Sequence, residues 1–161
     1  MEPIVPILMG SRADLAHAQA IASALAALGV TAELRVASAH KTPAHALDIL
    51  RAYEADERPK VYITIAGRSN ALSGFVDAQV TAPVIACPPP SEAFGGADVF
   101  SSLRMPSGVA PATVLDPGNA ALLAAKILGL ASPAARERVV AAQRAAVERL
   151  LADDGQVQSQ A

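Results

Sequence analysis

The strongest candidate for chemistry in the sequence is a histidine, His40, which is flanked by a hydroxyl at Ser38 and an ammonium group at Lys41. Imidazole titrates near neutral pH, so His40 is the one strong candidate for a general acid–base group. A lone histidine is more often structural than catalytic. His40, however, lies between an apolar run and a helix that begins near Pro43, which is where α/β proteins carry their chemistry. Lys41 is either solvated or binds a phosphate as a point charge.

A second polar segment, Gly10 and Ser11, ends the first apolar run and precedes a helix. The free backbone amides of a helix N-terminus favour an anion, and the Ser11 hydroxyl adds a donor. Asp14 has two interpretations: it caps the helix, or its carboxylate accepts hydrogen bonds from sugar hydroxyls. The segment lacks the glycine spacing of a dinucleotide or P-loop motif, so it predicts an anion site without naming a nucleotide.

A third polar segment follows the most strand-like run of the chain and comprises Ala66, Gly67, Arg68, Ser69 and Asn70. Glycine allows close approach of the backbone to a ligand, and the three side chains after it offer several hydrogen-bond donors. The alternative is that Ser69 or Asn70 caps the next helix while Arg68 lies in solvent. Three polar segments that each follow a strand favour one shared site over three unrelated loops.

Other chemically capable residues carry weaker signals. His17 and His45 fall inside predicted helices and are expected at the surface, and Cys87 is expected to be a buried structural thiol. Residues 101–108 either line a site or turn the chain. The sequence shows no carboxylate pair, metal-ligand spacing or nucleophile–base spacing, so hydrolase and metalloenzyme functions have no support and no metal is expected.

The elements that must position these segments alternate along the chain. Strands are predicted over 3–9, 30–37, 61–66, 83–87 and 109–115, and helices over 14–28, 43–56, 70–80, 91–104 with a break at Gly95-Gly96, 117–128 and 133–151. This alternation predicts an α/β fold, a three-layer αβα sandwich around a doubly wound parallel sheet of five strands, with an extra C-terminal helix. Ligands of such sheets bind outside the carboxyl ends of the strands. No linker or repeat interrupts the pattern, so residues 1–161 are predicted to form one domain with a frayed tail from about residue 153.

The composition limits what such a domain can do. Of the 161 residues 52% are hydrophobic, yet only 3% are aromatic and none is Trp. The apolar fraction is too high for a disordered chain, and charged residues or glycine interrupt every run before the ~20 residues of a membrane span. A net charge of −2 and few aromatic rings argue against nucleic-acid binding. One cysteine excludes internal disulfides, and the lack of a recognisable leader predicts a cytoplasmic protein.

Three ordered motifs resemble those of the PurE family of purine biosynthesis. They are Met9-Gly10-Ser11-x-x-Asp14, Ser38-Ala39-His40-Lys41 and Ala66-Gly67-Arg68-Ser69-Asn70, and the similarity extends through 87–90, 101–108 and 119–125. The mutase branch of that family has Arg in place of Lys41 and a Gly-Gly-Ala-Ala-His-Leu-Pro-Gly stretch where residues 68–74 of this chain carry no His. The chain therefore resembles the second branch, the aminoimidazole ribonucleotide carboxylases of animals and some bacteria, although 119–125 is closer to the mutases.

The resemblance implies a flavodoxin-like fold and an enzyme that adds CO2 to C4 of aminoimidazole ribonucleotide without ATP, biotin or metal. It assigns the proton transfer to His40 and the ribose hydroxyls to Asp14, and it places Ser11, Ser38 and Lys41 near the phosphate. The other expected substrate contacts are Gly10, Ala39, Ala66, Gly67, Arg68, Ser69 and Asn70, of which the last four surround CO2 or the new carboxylate. The resemblance also implies a homo-oligomer, a tetramer or octamer, with sites at subunit contacts.

Three alternatives stay open at this point. In the first, the chain is a mutase with the same fold and the same histidine, which acts on an N-carboxylated substrate in place of free CO2. In the second, it is a non-catalytic nucleotide-binding module in which His40 only contacts a ligand. In the third, it is a PurE-like carboxylase that acts on a different heterocycle.

Overall fold

Five parallel strands form the centre of the computed structural model, which describes residues 1–159. The strands are β1 (Ile4–Met9), β2 (Thr31–Val36), β3 (Tyr62–Ile65), β4 (Val84–Ala86) and β5 (Ala112–Thr113). Their order in the sheet is β2-β1-β3-β4-β5, so the chain runs from β1 to β2 and then returns past β1 to β3. The strand order reverses between β1 and β3, and in a doubly wound sheet a crevice opens at the carboxyl ends there.

Helices cover both faces of the sheet and complete the predicted three-layer sandwich. They are α1 (Leu15–Ala27), α2 (Pro43–Glu54), α3 (Ala71–Asp77), α4 (Phe100–Leu103), α5 (Pro117–Leu128) and α6 (Pro133–Gln158). One apolar core lies between the sheet and α1, α5 and the start of α6. The other lies between the sheet and α2 and α3. Successive β1 side chains point to opposite cores, as the pleat of a strand buried on both faces requires.

The abundance of alanine has a structural explanation in α5. Ala120, Ala121, Ala124 and Ala125 are fully buried, and they share a core with Ala18 and Ile21 of α1. Small side chains let two helix backbones approach closely, so this layer is filled without large aromatic rings.

The predicted order of strands and helices is confirmed, and the differences lie at element ends. The predicted fifth strand over 109–115 shortens to Ala112–Thr113 because the Ala110 amide donates to Asp77 Oδ2 over 2.7 Å, and Pro111 has no amide hydrogen to give. The predicted break in 91–104 is present: Phe94, Gly95 and Gly96 adopt φ of 51°, 63° and 81°, inside a kinked 3-10 segment that precedes α4.

The C-terminal helix is longer than predicted. It was expected to end at 151 and to fray from about residue 153, but α6 continues to Gln158; residues 160 and 161 lie outside the described part. Gly155 and the aspartates before it lower helix propensity by no more than about 1 kcal/mol each. The Gln158 side-chain amide donates to the Asp154 carboxylate one turn earlier over 3.1 Å, which supports the last turn.

Across residues 1–159, no helix combines the length and apolar character that crossing a membrane would require.

Candidate functional site

The sheet brings the three predicted polar segments to one edge. The Ala37 amide donates to Met9 O over 2.9 Å, and the Gly10 amide donates to Ile65 O over 2.9 Å. These bonds hold the carboxyl ends of β2, β1 and β3 side by side. The segments that carry Ser11, His40 and Arg68 therefore leave neighbouring strands at the point where strand order reverses.

His40 lies at the tip of a tight turn between β2 and α2. The turn is closed by Ser38 and Thr42: the Ser38 amide donates to Thr42 Oγ1 over 3.0 Å, and the Thr42 amide donates to Ser38 O over 2.9 Å. The Lys41 amide donates to Ser38 Oγ over 3.2 Å, so the Ser38 hydroxyl faces the turn and retains its own hydrogen to give. The side chains of His40 and Lys41 are exposed, and neither has a hydrogen-bond partner within residues 1–159. Ala39 is half-buried and packs against the core that lies between the sheet and α2 and α3.

The segment after β1 settles how Ser11 and Asp14 relate to helix capping. The Ser11 hydroxyl accepts from the Ala13 amide over 3.2 Å and so caps the short 3-10 turn Arg12–Asp14. Asp14 occupies the N-cap position of α1, but its side chain makes no capping hydrogen bond. Partial burial raises the pKa of the Asp14 carboxyl, an effect that His17 opposes. The carboxylate of Asp14 is thus half-buried at the site edge and free to accept hydrogen bonds from a ligand.

The segment after β3 is a strained turn with free amides. Arg68 adopts φ 59°, in the left-handed region that non-glycine residues rarely occupy. The amides of Gly67, Arg68 and Ser69 donate to no acceptor among the described residues. Consecutive free amides around a left-handed residue form a concave site for an anion. A Cβ at Gly67 would lie 3.4 Å from Pro89 Cγ, at ordinary van der Waals distance, so the turn packs against the loop after β4.

Asn70 differs from its neighbours because it is buried. Its Oδ1 accepts from the Ser73 amide over 3.1 Å, which caps α3 as one of the two interpretations of the sequence proposed. Its Nδ2 donates to Ser102 Oγ over 2.9 Å. Arg68 and Ser69, in contrast, are exposed. A direct contact of the Asn70 side chain with a substrate stays a prediction, and the capping role is what the geometry shows.

Two cavities flank the turn formed by Gly67, Arg68 and Ser69. One, of about 270 Å³, is lined mainly by apolar groups that include Pro88, Pro89, Val99 and Leu115, together with Gly67. The other, of about 430 Å³, lies between α3 and the chain after α4, and Ser69 contributes to its wall. The turn can therefore be reached from both sides by a small molecule.

Sequence reasoning missed His17, which was expected at the surface. Its Nε2 lies 3.4 Å from Cys87 Sγ, and the ring is half-buried in the crevice between α1 and the end of β4. Burial lowers the pKa of His17 and raises the pKa of the Cys87 thiol to about 12. The predictions of an exposed His45 and a buried Cys87 are confirmed. His17 lies three residues after Asp14 on one helical face, and that spacing was the available signal.

Metal ligands were not expected, and the described residues place no three His, Cys, Asp or Glu side chains together where they could hold a metal ion. That the reaction needs no metal stays a prediction. The polar groups at the carboxyl edge suit an anionic small molecule: amides for an anion, an ammonium group, a free carboxylate and an imidazole.

Comparison with known proteins agrees with this site. The family model described as AIR carboxylase matches residues 4–149. A phosphoribosylaminoimidazole carboxylase of Treponema denticola is 53% identical over 157 residues, covering 98% of this chain and 99% of its relative. The one from Archaeoglobus fulgidus is 58% identical over 134 residues, covering 83% of this chain and 73% of that protein. A bifunctional human protein, named for the same carboxylase and a succinocarboxamide synthetase, is 46% identical over 128 residues, 80% of this chain and 30% of its own length.

The fold comparison leads to the same family. The crystal structure of Treponema denticola PurE superimposes with a TM-score of 0.94 at 53% identity, covering 96% of this chain and 98% of that one. A crystal structure of Treponema denticola PurE2-S38D gives 0.95 at 52% identity, covering 97% and 98%. The chain belongs to the AIR carboxylase family of enzymes, the PurE proteins of purine biosynthesis.

Proposed function

We propose that the chain is a phosphoribosylaminoimidazole carboxylase that adds CO2 directly to C4 of aminoimidazole ribonucleotide and gives carboxyaminoimidazole ribonucleotide. The observation that carries the proposal is the Gly67–Ser69 turn, whose three amides donate to no acceptor among the described residues. The turn leaves the same carboxyl edge of the sheet as the loop of His40, whose imidazole has no described partner. In the mutase branch of the family this segment has a different sequence that contains a histidine. The relatives that match most of this chain bear the carboxylase name.

The chemistry needs one proton-transfer group. The aminoimidazole ring is an electron-rich enamine, so its C4 attacks the carbon of CO2 and forms a carbon–carbon bond while one C=O electron pair moves to oxygen. The C4 adduct is not aromatic. Its C4 proton must leave, and the electron pair of that C–H bond restores the ring. His40 takes this proton, and it returns the proton when the reaction runs backwards as a decarboxylation.

The nucleotide is held by backbone and polar groups. Lys41 supplies a positive charge for the phosphate, and Ser11 and Ser38 each have a hydroxyl hydrogen free to donate. The backbone at Gly10, Ala39 and Ala66 completes the floor of the crevice. The Asp14 carboxylate, which caps no helix, accepts from the ribose hydroxyls. Because aromatic side chains are scarce, the ring is held through its ribose and phosphate and not by stacking.

The turn stabilises the charge that develops on CO2. CO2 is neutral and offers little binding energy, so placement contributes much of the rate. The free amides of Gly67, Arg68 and Ser69 are donors already oriented before negative charge appears, and their turn needs no reorganisation during the reaction. The apolar cavity beside Gly67 has a lining that suits uncharged CO2. ATP, biotin and metal have no part in this proposal.

One sequence feature favours the mutase alternative, the similarity of 119–125 to that branch. The structure places this segment inside α5, where Ala120, Ala121 and Ala124 are fully buried against the core. Most of the similarity therefore concerns helix packing, although the segment begins at Asn119 in the first turn of α5, shortly after β5. The carboxylase assignment rests instead on the Gly67–Ser69 turn and on the names of the relatives.

We also propose that the protein is a cytoplasmic homo-oligomer, a tetramer or octamer. A single chain leaves apolar side chains exposed beside the site, with Phe94 89% and Phe100 68% accessible. The outer half of α6 adds Val147, Leu150 and Leu151. Such surfaces are typical of subunit contacts.

The test compares two substrates with one purified protein. Aminoimidazole ribonucleotide is supplied with bicarbonate and carbonic anhydrase, without ATP or a carboxylating partner enzyme. N5-carboxyaminoimidazole ribonucleotide is supplied separately, and the carboxylated product is measured by its absorbance. Product from the first mixture supports the carboxylase. Product from the second alone supports the mutase, and binding of nucleotide without product in either mixture supports the non-catalytic module.

A further inference from the structure

The buried polar side chains of residues 1–159 form a single hydrogen-bonded chain. These four residues are Thr64, Asn70, Ser73 and Ser102, each no more than 4% exposed. Thr64 Oγ1 lies 2.7 Å from Ser73 Oγ, Ser73 Oγ lies 2.8 Å from Asn70 Oδ1, and Asn70 Nδ2 lies 2.9 Å from Ser102 Oγ. Buried polar groups are costly unless they are bonded, so a network gathered at one place calls for an explanation.

The direction of each hydrogen bond is fixed by what the groups can do. Asn70 Oδ1 only accepts, so the Ser73 hydroxyl must donate to it. Since Ser73 has then used its one hydrogen, Thr64 is the donor in the contact between the two hydroxyls. The Asn70 amide continues the chain by donating to Ser102. The network thus runs from the centre of the sheet to α4, and the orientation of the Asn70 side chain is determined at both ends.

The network ends at the turn that carries the free amides. The Asn70 backbone amide donates to Ser101 Oγ over 3.0 Å. The single hydrogen of the Ser101 hydroxyl is shared between Asp98 O, at 2.8 Å, and Arg68 O, at 3.3 Å. Ser101 therefore contacts the turn on both sides of Ser69. It engages the Arg68 carbonyl, while the amides of Gly67, Arg68 and Ser69 donate to no acceptor in the part of the chain that the structure describes.

The left-handed conformation of Arg68 is thus supported by the hydrogen-bond network. A left-handed φ at a non-glycine residue persists only where the surroundings impose it. Arg68 is itself exposed, and its side chain has no hydrogen-bond partner among the described residues, so support for φ 59° comes through the backbone contacts of its neighbours. Ser102 is anchored in turn by Thr113 of β5, whose hydroxyl donates to Ser102 O over 3.0 Å.

We propose that Ser101 and the Asn70–Ser102 pair are positioning residues that hold the Arg68 turn in its left-handed form, and so aim its amides at the new carboxylate. They touch no substrate and act through the backbone of Gly67–Ser69. The inference rests on the proposed function, because that function gives the turn its anion. It explains why Ser101 and Ser102, 33 and 32 residues away from their partners in the chain, contact this loop.

The test measures binding of two ligands that differ only in the carboxylate. Titration calorimetry compares aminoimidazole ribonucleotide with its C4-carboxylated product for the wild-type protein and for Ser101→Ala. We expect the variant to bind the carboxylated nucleotide about tenfold more weakly and the uncarboxylated one within about twofold, because only the turn is disturbed. Ser101→Thr, which retains the hydroxyl, is expected to restore affinity.

A matched control removes a hydrogen bond away from the turn. Tyr53→Phe deletes the 2.8 Å contact of the Tyr53 hydroxyl with Glu33, and it is expected to change neither affinity. Ser102→Ala is the second network variant, with the same expected pattern and a lower unfolding midpoint. If Ser102→Ala fails to fold, the proposal is tested by Ser101→Ala alone, a substitution at a half-buried position. Equal weakening of both ligands by Ser101→Ala, or no weakening of either, overturns the proposal.

Failure of this proposal can be told apart from failure of the proposed function. Carboxylase and mutase release the same carboxylated nucleotide, so its binding reports on the turn whichever substrate the enzyme takes. If the protein makes no product from CO2 but Ser101→Ala selectively weakens binding of the carboxylated nucleotide, the carboxylase proposal is refuted and the positioning role is retained.

Discussion

His17 Nε2 lies 3.4 Å from Cys87 Sγ, although 70 residues separate the two in the chain. The contact joins the first turns of α1 to the end of β4 and holds the imidazole half-buried beside Asp14. Burial lowers the pKa of His17 and favours its neutral form in the folded protein. Below its ordinary pKa of about 6.5 the unfolded chain therefore binds more protons than the folded chain at this position.

This difference predicts a pH-dependent stability. The contribution of neutral His17 is present above about pH 6.5 and is lost as the pH falls through that value toward the lower pKa of the folded state. We expect the free energy of unfolding in urea to fall between pH 7.5 and 5.5, and to fall less steeply in His17→Gln. Identical slopes in the two proteins would show that His17 does not titrate in this way. His45→Gln, an exposed position, is the control and should keep the wild-type slope.

Asp14→Asn separates ligand binding from helix capping. Because Asp14 makes no capping bond, the substitution should leave the unfolding midpoint unlowered while nucleotide affinity falls about tenfold or more, as expected for loss of a charged acceptor. The control is Ser132→Ala, which removes a real cap, the 3.3 Å bond to the Ala135 amide, and should cost about 1 kcal/mol with no change in affinity. Destabilisation by Asp14→Asn with normal affinity contradicts the assignment.

His40→Asn tests the proton-transfer role. Turnover should fall at least ~100-fold, because the substitution removes the imidazole proposed to take the C4 proton, and substrate affinity should stay within about tenfold. Steady-state kinetics and calorimetry measure the two separately. A variant that retains most of its turnover excludes His40 as the acid–base group. If the wild-type protein has no turnover and the only effect of His40→Asn is on nucleotide binding, the chain is a nucleotide-binding module.

Lys41→Ala should act on the phosphate and leave the chemistry intact. We expect KM for the nucleotide to rise about tenfold with kcat changed far less, and the difference from wild type to shrink at high salt, where an exposed charge pair is screened. Lys126→Ala, an exposed lysine in the last turn of α5, is the control for a general loss of positive charge. If kcat falls instead of KM rising, Lys41 has a role beyond phosphate binding.

The sequence predicted the parts of the site that depend on local order along the chain. Polar segments after β1, β2 and β3 leave one edge because parallel strands share a carboxyl edge, so the placement of the segments that carry Ser11, His40 and Arg68 was predictable without coordinates, while their roles stay predictions. Whether the Asp14 side chain caps a helix could be decided only from the position of the neighbouring Ser11 hydroxyl. Ser11 takes the capping bond, and no spacing rule states which of two possible caps will form.

The remaining features depend on contacts between distant residues. The bonds from Asn70 to Ser101 and Ser102 arise only when the chain after β4 packs under the β3 loop. His17 was misplaced because a helical histidine is usually exposed, whereas here the β4 end lies against it. The overestimated β5 reflects the same limit, because the apolar run near Pro111 has the pattern of a strand and only the distant Asp77 takes the Ala110 amide. The underestimated α6 has a local cause: its exposed last turns continue through Gly155, supported by the bond from Gln158 to Asp154.

The most direct test of the central claim follows the carbon source with aminoimidazole ribonucleotide as the only other substrate. Reactions without ATP are started with ¹³CO2 or with ¹³C-bicarbonate at low temperature, and labelled product is measured before the two forms equilibrate. Direct addition predicts immediate labelling from CO2 and a lag from bicarbonate that carbonic anhydrase abolishes. Direct addition of CO2 would be contradicted if a protein preparation that converts N5-carboxyaminoimidazole ribonucleotide gave no labelled product from either carbon source.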